Sequence, residues 1–103
     1  TNPGANLKNT VFFADSGIDR SPCGTGTSAR VATLYAKGEL ELNQEFVHES
    51  IIGSIFVARA VEEAKVGPYK AVIPEVTGSA FVTAMSQFVI DPEDPHKNGF
   101  LLT

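Results

Sequence analysis

The sequence predicts a small α+β domain in which one helix packs against a mostly antiparallel sheet. Three observations lead to this prediction. The chain has 103 residues, which suffices for a single small domain. One segment, residues 29–37, has a strong helical pattern, whereas four later segments are rich in Val, Ile, Phe and Thr. Turn residues separate those later segments at the spacing of β-hairpins.

The predicted helix follows a stretch of small residues. Ser21 is expected to cap its start, with Pro22 at the first helical position. Lys37 is expected in its last turn and Gly38 at its C-terminal cap. Because small apolar residues are spread around the circumference, the helix is expected to be buried on several sides.

Strands are predicted on both sides of the helix. Before it, the apolar run 11–14 indicates a short strand. After it, four segments have the composition of strands in an antiparallel sheet. They are residues 46–52, 54–60, 69–76 and 80–90. Residues 62–65 form either a polar bend or a strand extension. The segment 91–95 contains two prolines and is predicted to be neither regular helix nor central strand.

Composition and charge argue against several classes of function. Hydrophobic residues make up 43% of the chain and charged residues 19%, as in ordinary globular proteins. The net charge is -4 and no basic patch is present, which argues against a nucleic-acid partner. The apolar runs are too short to span a bilayer, so no membrane partner is expected. The single cysteine forms neither an intramolecular disulfide nor a metal site, and a reducing, cytoplasmic location is expected.

The residues best suited to chemistry lie at the predicted helix start. Gly24 and Gly26 flank Thr25, and the unpaired N–H groups of a first helical turn bind anions such as carboxylates. Cys23 lies at the same place, where partial positive charge favours a thiolate. A thiol that ionises near working pH is both an acid and a base. With Asp19 nearby to hold an ammonium group, the arrangement suits removal of an amino acid's α-proton.

Spacing alone leaves structural roles open, because a Cys near a helix start is often inert and Gly-x-Gly is often only a turn. A phosphate loop is excluded, since no Lys follows the glycines, and a dinucleotide fingerprint lacks its third glycine. A cysteine hydrolase needs a His to activate the thiol. Neither His48, in a predicted strand, nor His96, in a proline-rich loop, is positioned by a motif.

The run Asp19-Arg20-Ser21-Pro22-Cys23-Gly24-Thr25-Gly26-Thr27-Ser28-Ala29 resembles the second catalytic motif of proline racemases and hydroxyproline epimerases. The resemblance continues through nearly the whole chain. It includes residues 32–38, 46–54, 74–80, 91–95 and 99–100. A continuous motif of this length is far more specific than its parts.

The resemblance implies a fold and a mechanism. Members of the family consist of two pseudo-symmetric lobes, as in diaminopimelate epimerase, each with a curved sheet around a central helix and one Cys at the helix start. One thiolate removes the α-proton from one face of the substrate while the other thiol donates a proton to the opposite face, without cofactor or metal. Residues 1–103 are then the second lobe, and the segment 91–103 is expected to return toward the first lobe.

The resemblance also implies roles for five residues. Cys23 is expected to be the catalytic thiol of this lobe. Gly24 and Thr25 are expected to offer backbone amides to the substrate carboxylate, and Asp19 to bind the ring nitrogen. Phe13 falls where proline racemases place an aromatic residue against the pyrrolidine ring, although a core Phe in a strand has the same pattern. The full-length protein is expected to be a homodimer that acts on proline or a hydroxyproline.

Three functions stay open at this point. Racemisation or epimerisation is favoured by Cys23, because the trans-3-hydroxyproline dehydratase branch, which residues 13–15 and 64–102 also resemble, typically has Thr there. His48 stands where Tyr is frequent in relatives, and no role is assigned to it. The third possibility is a non-catalytic lobe or fragment. Since the first lobe and its Cys are not in this chain, the 103 residues are expected to be inactive alone.

Overall fold

The computed structural model describes residues 3–102, and its secondary structure confirms the predicted α+β class. Three two-residue strands come first: β1 (Leu7–Lys8), β2 (Phe12–Phe13) and β3 (Gly17–Ile18). Next come helix α1 (Gly24–Ala36) and strands β4 (Phe46–Glu49), β5 (Ile55–Val66) and β6 (Tyr69–Thr77). The structure therefore has one helix and, after it, an antiparallel run of strands, as the sequence predicts.

The main sheet has the strand order β1-β4-β5-β6. Strand β1 pairs in parallel with β4, and the other neighbours are antiparallel. The register of β5 and β6 shifts between Ala60 and Glu62, which makes Val61 the extra residue of a bulge and increases the local twist. Residues 62–65 extend β5 beyond this bulge, so the alternative of a strand extension is confirmed. Strands β2 and β3 form a separate short hairpin.

The core lies between one face of α1 and the sheet. Its buried apolar members come from the helix, the following loop and two strands. They are Val31, Leu40, Phe46, Ala58 and Ala60. Along α1, only Thr27 and Val31, four residues apart, are buried. The expectation of a helix buried on several sides is therefore wrong for residues 3–102, because the sheet covers a single stripe of it.

The start of α1 differs from the prediction by two residues. The N-cap is Cys23, not Ser21, and Pro22 lies outside the helix. The reason is local: the Ser21 hydroxyl accepts the N–H of Cys23 instead of a helical N–H. At the other end, Gly38 follows the C-cap with a φ of 75°, a conformation that favours glycine, as predicted. Lys37, which is predicted in the last turn, is instead the C-cap residue that follows that turn.

The tail after β6 contradicts one predicted strand. Residues 80–90 make no strand pairing among the described residues, and their side chains are exposed. A strand needs a partner edge for its backbone groups, and within residues 3–102 none is offered to this segment. Residues 91–95 form turns, as the prolines predict. In the part of the chain that the structure describes, no helix is long and apolar enough to cross a bilayer.

Candidate active site

Three polar residues order the loop that leads into α1. The Oδ1 atom of Asp19 accepts the backbone N–H of Ser21 and the Ser21 hydroxyl, both at 2.8 Å. The same hydroxyl accepts the N–H of Cys23 at 3.0 Å. Both of these bonds use Oδ1, which leaves Oδ2 without a hydrogen bond among residues 3–102. The loop therefore fixes the carboxylate of Asp19 relative to the thiol-bearing residue.

Cys23 has a backbone conformation that is unusual for a residue with a side chain. Its φ is 70° and its ψ is 122°, and such positive-φ conformations cost about 1–3 kcal/mol in a non-glycine residue. As the N-cap of α1, its Sγ accepts the N–H of Gly26 at 3.4 Å. The positive end of the helix dipole lies at this end of α1. The thiol is free and half-buried, so it is accessible from one side.

Two backbone amides next to the thiol are open to a ligand. The first intrahelical bond runs from the N–H of Thr27 to the carbonyl of Cys23, at 2.9 Å. The earlier N–H groups of Gly24 and Thr25 therefore have no intrahelical acceptor. Both residues are exposed, and a Cβ added at Gly24 would meet nothing within 4 Å. Packing within this chain does not require glycine there, and the space above the helix start is free for a carboxylate.

A groove of about 560 Å³ lies beside this helix start. Both Phe13 and Asp19 line it, whereas Cys23, Gly24 and Thr25 adjoin it along the chain rather than lining it. Phe13 is 56% exposed, so the interpretation of Phe13 as a core residue is wrong within residues 3–102. Its ring lies over Gly17, where an added Cβ would come within 2.7 Å of the ring. The hairpin of β2 and β3 thus presents an aromatic ring to the groove.

Behind the thiol, a fully buried polar pair connects α1 to β4. The Oγ1 atom of Thr27 lies 2.8 Å from Nδ1 of His48 and 3.2 Å from the carbonyl oxygen of Pro22. The side chain of Asn9 donates to the same carbonyl at 3.2 Å. Sequence reasoning assigned no role to these side chains. A signal was present for His48: in a strand it shares a face with Phe46, which is apolar and buried.

The two histidines do not activate the thiol. His48 uses Nδ1 to contact Thr27, and burial lowers its pKa, with the nearby positive charge of Arg30 lowering it further. His96 lies in the exposed tail, with its ring against Phe100. Neither is hydrogen-bonded to Cys23, so no histidine of residues 3–102 is placed to activate the thiol. Among residues 3–102, no three His, Cys, Asp or Glu side chains are grouped so that they could hold a metal ion.

Comparison with known proteins decides the family. The family model described as proline racemase matches residues 1–101. The chain belongs to the proline racemase family. It is 57% identical over 100 residues to the proline racemase of Acetoanaerobium sticklandii, which covers 97% of this chain and 30% of that protein. It is 52% identical over 98 residues to the trans-3-hydroxy-L-proline dehydratase of Bacillus cereus, which covers 95% of this chain and 29% of that protein.

A solved structure supports the family's fold. The hydroxyproline epimerase of Agrobacterium vitis, crystallised with trans-4-hydroxy-L-proline, has a TM-score of 0.77 and 39% identity to this chain. The match covers 92% of this chain and 27% of that one. The predicted family and fold are therefore confirmed. The chain spans about 30% of the length of the curated family members that it matches.

Proposed function

We propose that the full-length protein containing this chain inverts the α-carbon of proline or a hydroxyproline without a cofactor, and that Cys23 is one of two acid/base thiols. Relatives with this activity in their names share more than half of the chain's residues. The observation that carries the proposal is local. A thiol, a carboxylate and two amides that have no acceptor among residues 3–102 lie close together along the chain at the start of α1.

Each group has one task in the reaction. The N–H groups of Gly24 and Thr25 bind the substrate carboxylate, which brings the α-carbon next to Sγ. Oδ2 of Asp19 accepts a hydrogen bond from the ring nitrogen, and the ring of Phe13 covers one side of the pyrrolidine. The Cys23 thiolate takes the α-proton and becomes a thiol, while a thiol from the rest of the protein gives its proton to the opposite face. The opposite direction of reaction exchanges these roles.

Deuterium exchange in the full-length protein tests this proposal. In heavy water, L-proline and trans-4-hydroxy-L-proline are incubated with the enzyme, and NMR and polarimetry follow the α-hydrogen and the optical rotation. We expect exchange of the α-hydrogen together with inversion of one of the two substrates. Pyrrole-2-carboxylate, which is planar like the deprotonated α-carbon, is expected to inhibit it. If neither substrate exchanges and pyrrole-2-carboxylate does not bind, the proposed function is wrong.

The first lobe is needed for this reaction. Residues 1–103 contain one cysteine, so the chain by itself can supply only one of the two thiols. We expect the isolated chain to leave the rotation of L-proline unchanged. Inversion by the isolated chain would show that a single thiol suffices and would refute the two-thiol mechanism.

A dehydratase is the second candidate, because a relative of that name is 52% identical to this chain. It would remove the α-proton in the same way but expel the 3-hydroxyl group as water, which leaves a cyclic imine after tautomerisation. The products distinguish the two activities. With trans-3-hydroxy-L-proline, an epimerase yields a saturated ring of inverted configuration, whereas a dehydratase yields an imine that reacts with 2-aminobenzaldehyde.

A further inference from the structure

A buried chain of hydrogen bonds runs from β4 to the peptide bond that precedes Cys23. It joins His48 to Thr27, and Thr27 to the carbonyl of Pro22. We propose that Thr27 and His48 are positioning residues, which hold this peptide plane and thereby keep the thiol of Cys23 at the helix start. The kinetic consequence rests on the proposed function, whereas the effect on the thiol does not.

Both polar groups of the peptide bond between Pro22 and Cys23 are hydrogen-bonded, which fixes the peptide plane. On one side, the Pro22 oxygen accepts from Thr27 Oγ1 and Asn9 Nδ2, each at 3.2 Å. On the other side, the Cys23 N–H donates to Ser21 Oγ at 3.0 Å. The φ angle of Cys23 is the rotation of the residue relative to this plane. The carbonyl of Cys23 is tied to α1 by the N–H of Thr27, at 2.9 Å. With the preceding plane held as well, Cys23 keeps the positive φ of 70°, which is unfavourable for a residue with a side chain.

One placement of the hydrogens gives hydrogen bonds to most polar atoms of the His48–Thr27–Pro22 series. If the Thr27 hydroxyl donates to the Pro22 oxygen, it must accept from His48, which then carries its proton on Nδ1. The Nε2 atom of His48 is buried without a partner among residues 3–102. In this tautomer Nε2 is only an unused acceptor. If the Thr27 hydroxyl instead donated to Nδ1 of His48, the ring proton would be on Nε2. The Nε2–H group would then be a buried donor without an acceptor, and the bond to the Pro22 oxygen would be lost.

Because Thr27 and His48 are buried, water cannot replace the hydrogen bond between them. Thr27 is 0% exposed and His48 is 1% exposed, and the ring of Phe46 packs against the imidazole at 5.2 Å between ring centres. Water therefore does not reach the pair to replace a lost donor. Burial, together with the charge of Arg30, lowers the pKa of His48 and keeps the imidazole neutral. The neutral ring donates one hydrogen bond in a fixed direction, toward Thr27.

Paired variants of the full-length protein test the proposal. Thr27→Val removes the hydroxyl with little change in shape, and Thr27→Ser keeps it. His48→Phe removes the donor, whereas His48→Asn retains an amide N–H near the position of Nδ1. The control Thr33→Val removes an exposed hydroxyl that bonds the helix backbone four residues earlier. Two readouts are used for each variant: kcat and KM for the substrate, and the rate of alkylation of Cys23 by iodoacetamide at pH 7.

Alkylation of Cys23 can be measured separately from that of any other cysteine. Trypsin cuts after Arg20 and Arg30 and releases residues 21–30, in which Cys23 is the only cysteine. Mass spectrometry of this peptide gives the site-specific rate. The readout needs no substrate, so it reports on the thiol even if the proposed function fails.

Thr27→Val and His48→Phe are each expected to lower kcat by about 10- to 100-fold, because small misplacements of a reacting group have effects of this size. KM is expected to change less, by about threefold at most, since the amides of Gly24 and Thr25 lie on the other side of Cys23. Alkylation is expected to slow by at least about threefold as Sγ loses the N–H of Gly26. The double variant should lose no more than the worse single variant, because both act through one bond.

The conservative variants separate positioning from folding. Thr27→Ser and His48→Asn are expected to recover most of the kcat and of the alkylation rate, and Thr33→Val to match the unmodified protein. The proposal is overturned if folded Thr27→Val and His48→Phe behave like Thr33→Val. It is equally overturned if Thr27→Ser and His48→Asn lose as much as the variants without hydrogen-bonding groups. Slowed alkylation in a protein that inverts no substrate would support the positioning role and reject only the proposed function.

Discussion

The folded part of the chain, residues 3–77, and the tail, residues 78–102, have similar shares of large apolar side chains but opposite surroundings. Phe46 in β4 is 4% exposed, whereas Phe88 in the tail is 93% exposed. Strand β6 pairs with β5 along nine residue pairs, and the tail pairs with no strand of the described residues. The difference teaches that a strand-like composition becomes a strand only where a partner edge exists.

The exposed side chains of the tail form a long apolar segment. They are Phe81, Val82, Met85, Phe88, Val89 and Ile90. A folded protein rarely leaves such a segment in water. Because this chain spans about 30% of the length of its relatives, we expect the remainder of the full-length protein to cover the tail. The loop of the candidate active site is likewise covered on one side only: Thr27 and His48 are buried behind Cys23, whereas Gly24 and Thr25 are exposed.

The largest expected effect is on catalysis in the folded part. In the full-length protein, Cys23→Ala is expected to lower kcat by about 10³- to 10⁴-fold, since it removes the thiol that we propose as an acid/base group. The free energy of unfolding should change by no more than about 1 kcal/mol, because the lost bond to sulfur is weak. Steady-state kinetics and urea unfolding measure the two quantities. A Cys23→Ala protein that keeps a tenth of its activity would remove Cys23 from the mechanism.

The second prediction compares a phenylalanine of the folded part with one of the tail. In the full-length protein, Phe46→Ala is expected to destabilise by about 3–5 kcal/mol, as for other buried phenylalanines. If the rest of the protein covers the tail, Phe88→Ala should have an effect of similar size. Chemical denaturation of both variants provides the measurement. An effect of Phe88→Ala within about 0.5 kcal/mol would show that the tail stays exposed in the full-length protein and would contradict the expected cover.

A smaller effect is expected at the open face of the helix start. Gly24→Ala should raise KM by about tenfold, because the added methyl group would enter the open space in which we propose that the substrate carboxylate binds. The same change should leave stability unchanged or raise it by about 0.5–1 kcal/mol, since Ala favours a helix over Gly. Opposite effects on binding and on thermal unfolding distinguish a ligand space from a packing position. A rise in KM accompanied by destabilisation would contradict this assignment.

The smallest effect is on the pH dependence of stability. Burial and Arg30 lower the pKa of His48 in the folded protein below its value when unfolded, about 6.5. The unfolded state therefore binds the proton more readily, and the contribution of His48 is present above pH 6.5 and lost as the pH falls toward the lowered pKa. Comparing unfolding at pH 7.5 and pH 5.5, we expect a smaller loss of stability in His48→Asn. An equal loss in both proteins would show that His48 does not titrate in this range.

The groups of the candidate site could be recognised from the sequence because they are contiguous. Asp19, Cys23, Gly24 and Thr25 lie within one loop and the first turn that follows it, so local patterns bring them together. The helix begins two residues later than predicted, because the Ser21 hydroxyl accepts the N–H of Cys23 and Cys23 adopts a positive φ, which sequence patterns assign to glycine. The hydrogen bond between Thr27 and His48 could not be predicted from the sequence, since the two residues are 21 positions apart and come into contact only when β4 joins the sheet.

The sequence by itself determined the family, the helix, the antiparallel run of strands and the residues that surround the thiol, because these depend on local pattern and on one continuous motif. Tertiary structure decided which strand-like segments became strands and which side of α1 was buried. It also brought Thr27 and His48 together behind Cys23. Those outcomes depend on which edges and faces meet, and a segment's own residues do not specify its partner. For the tail, the partner is expected in the remainder of the full-length protein.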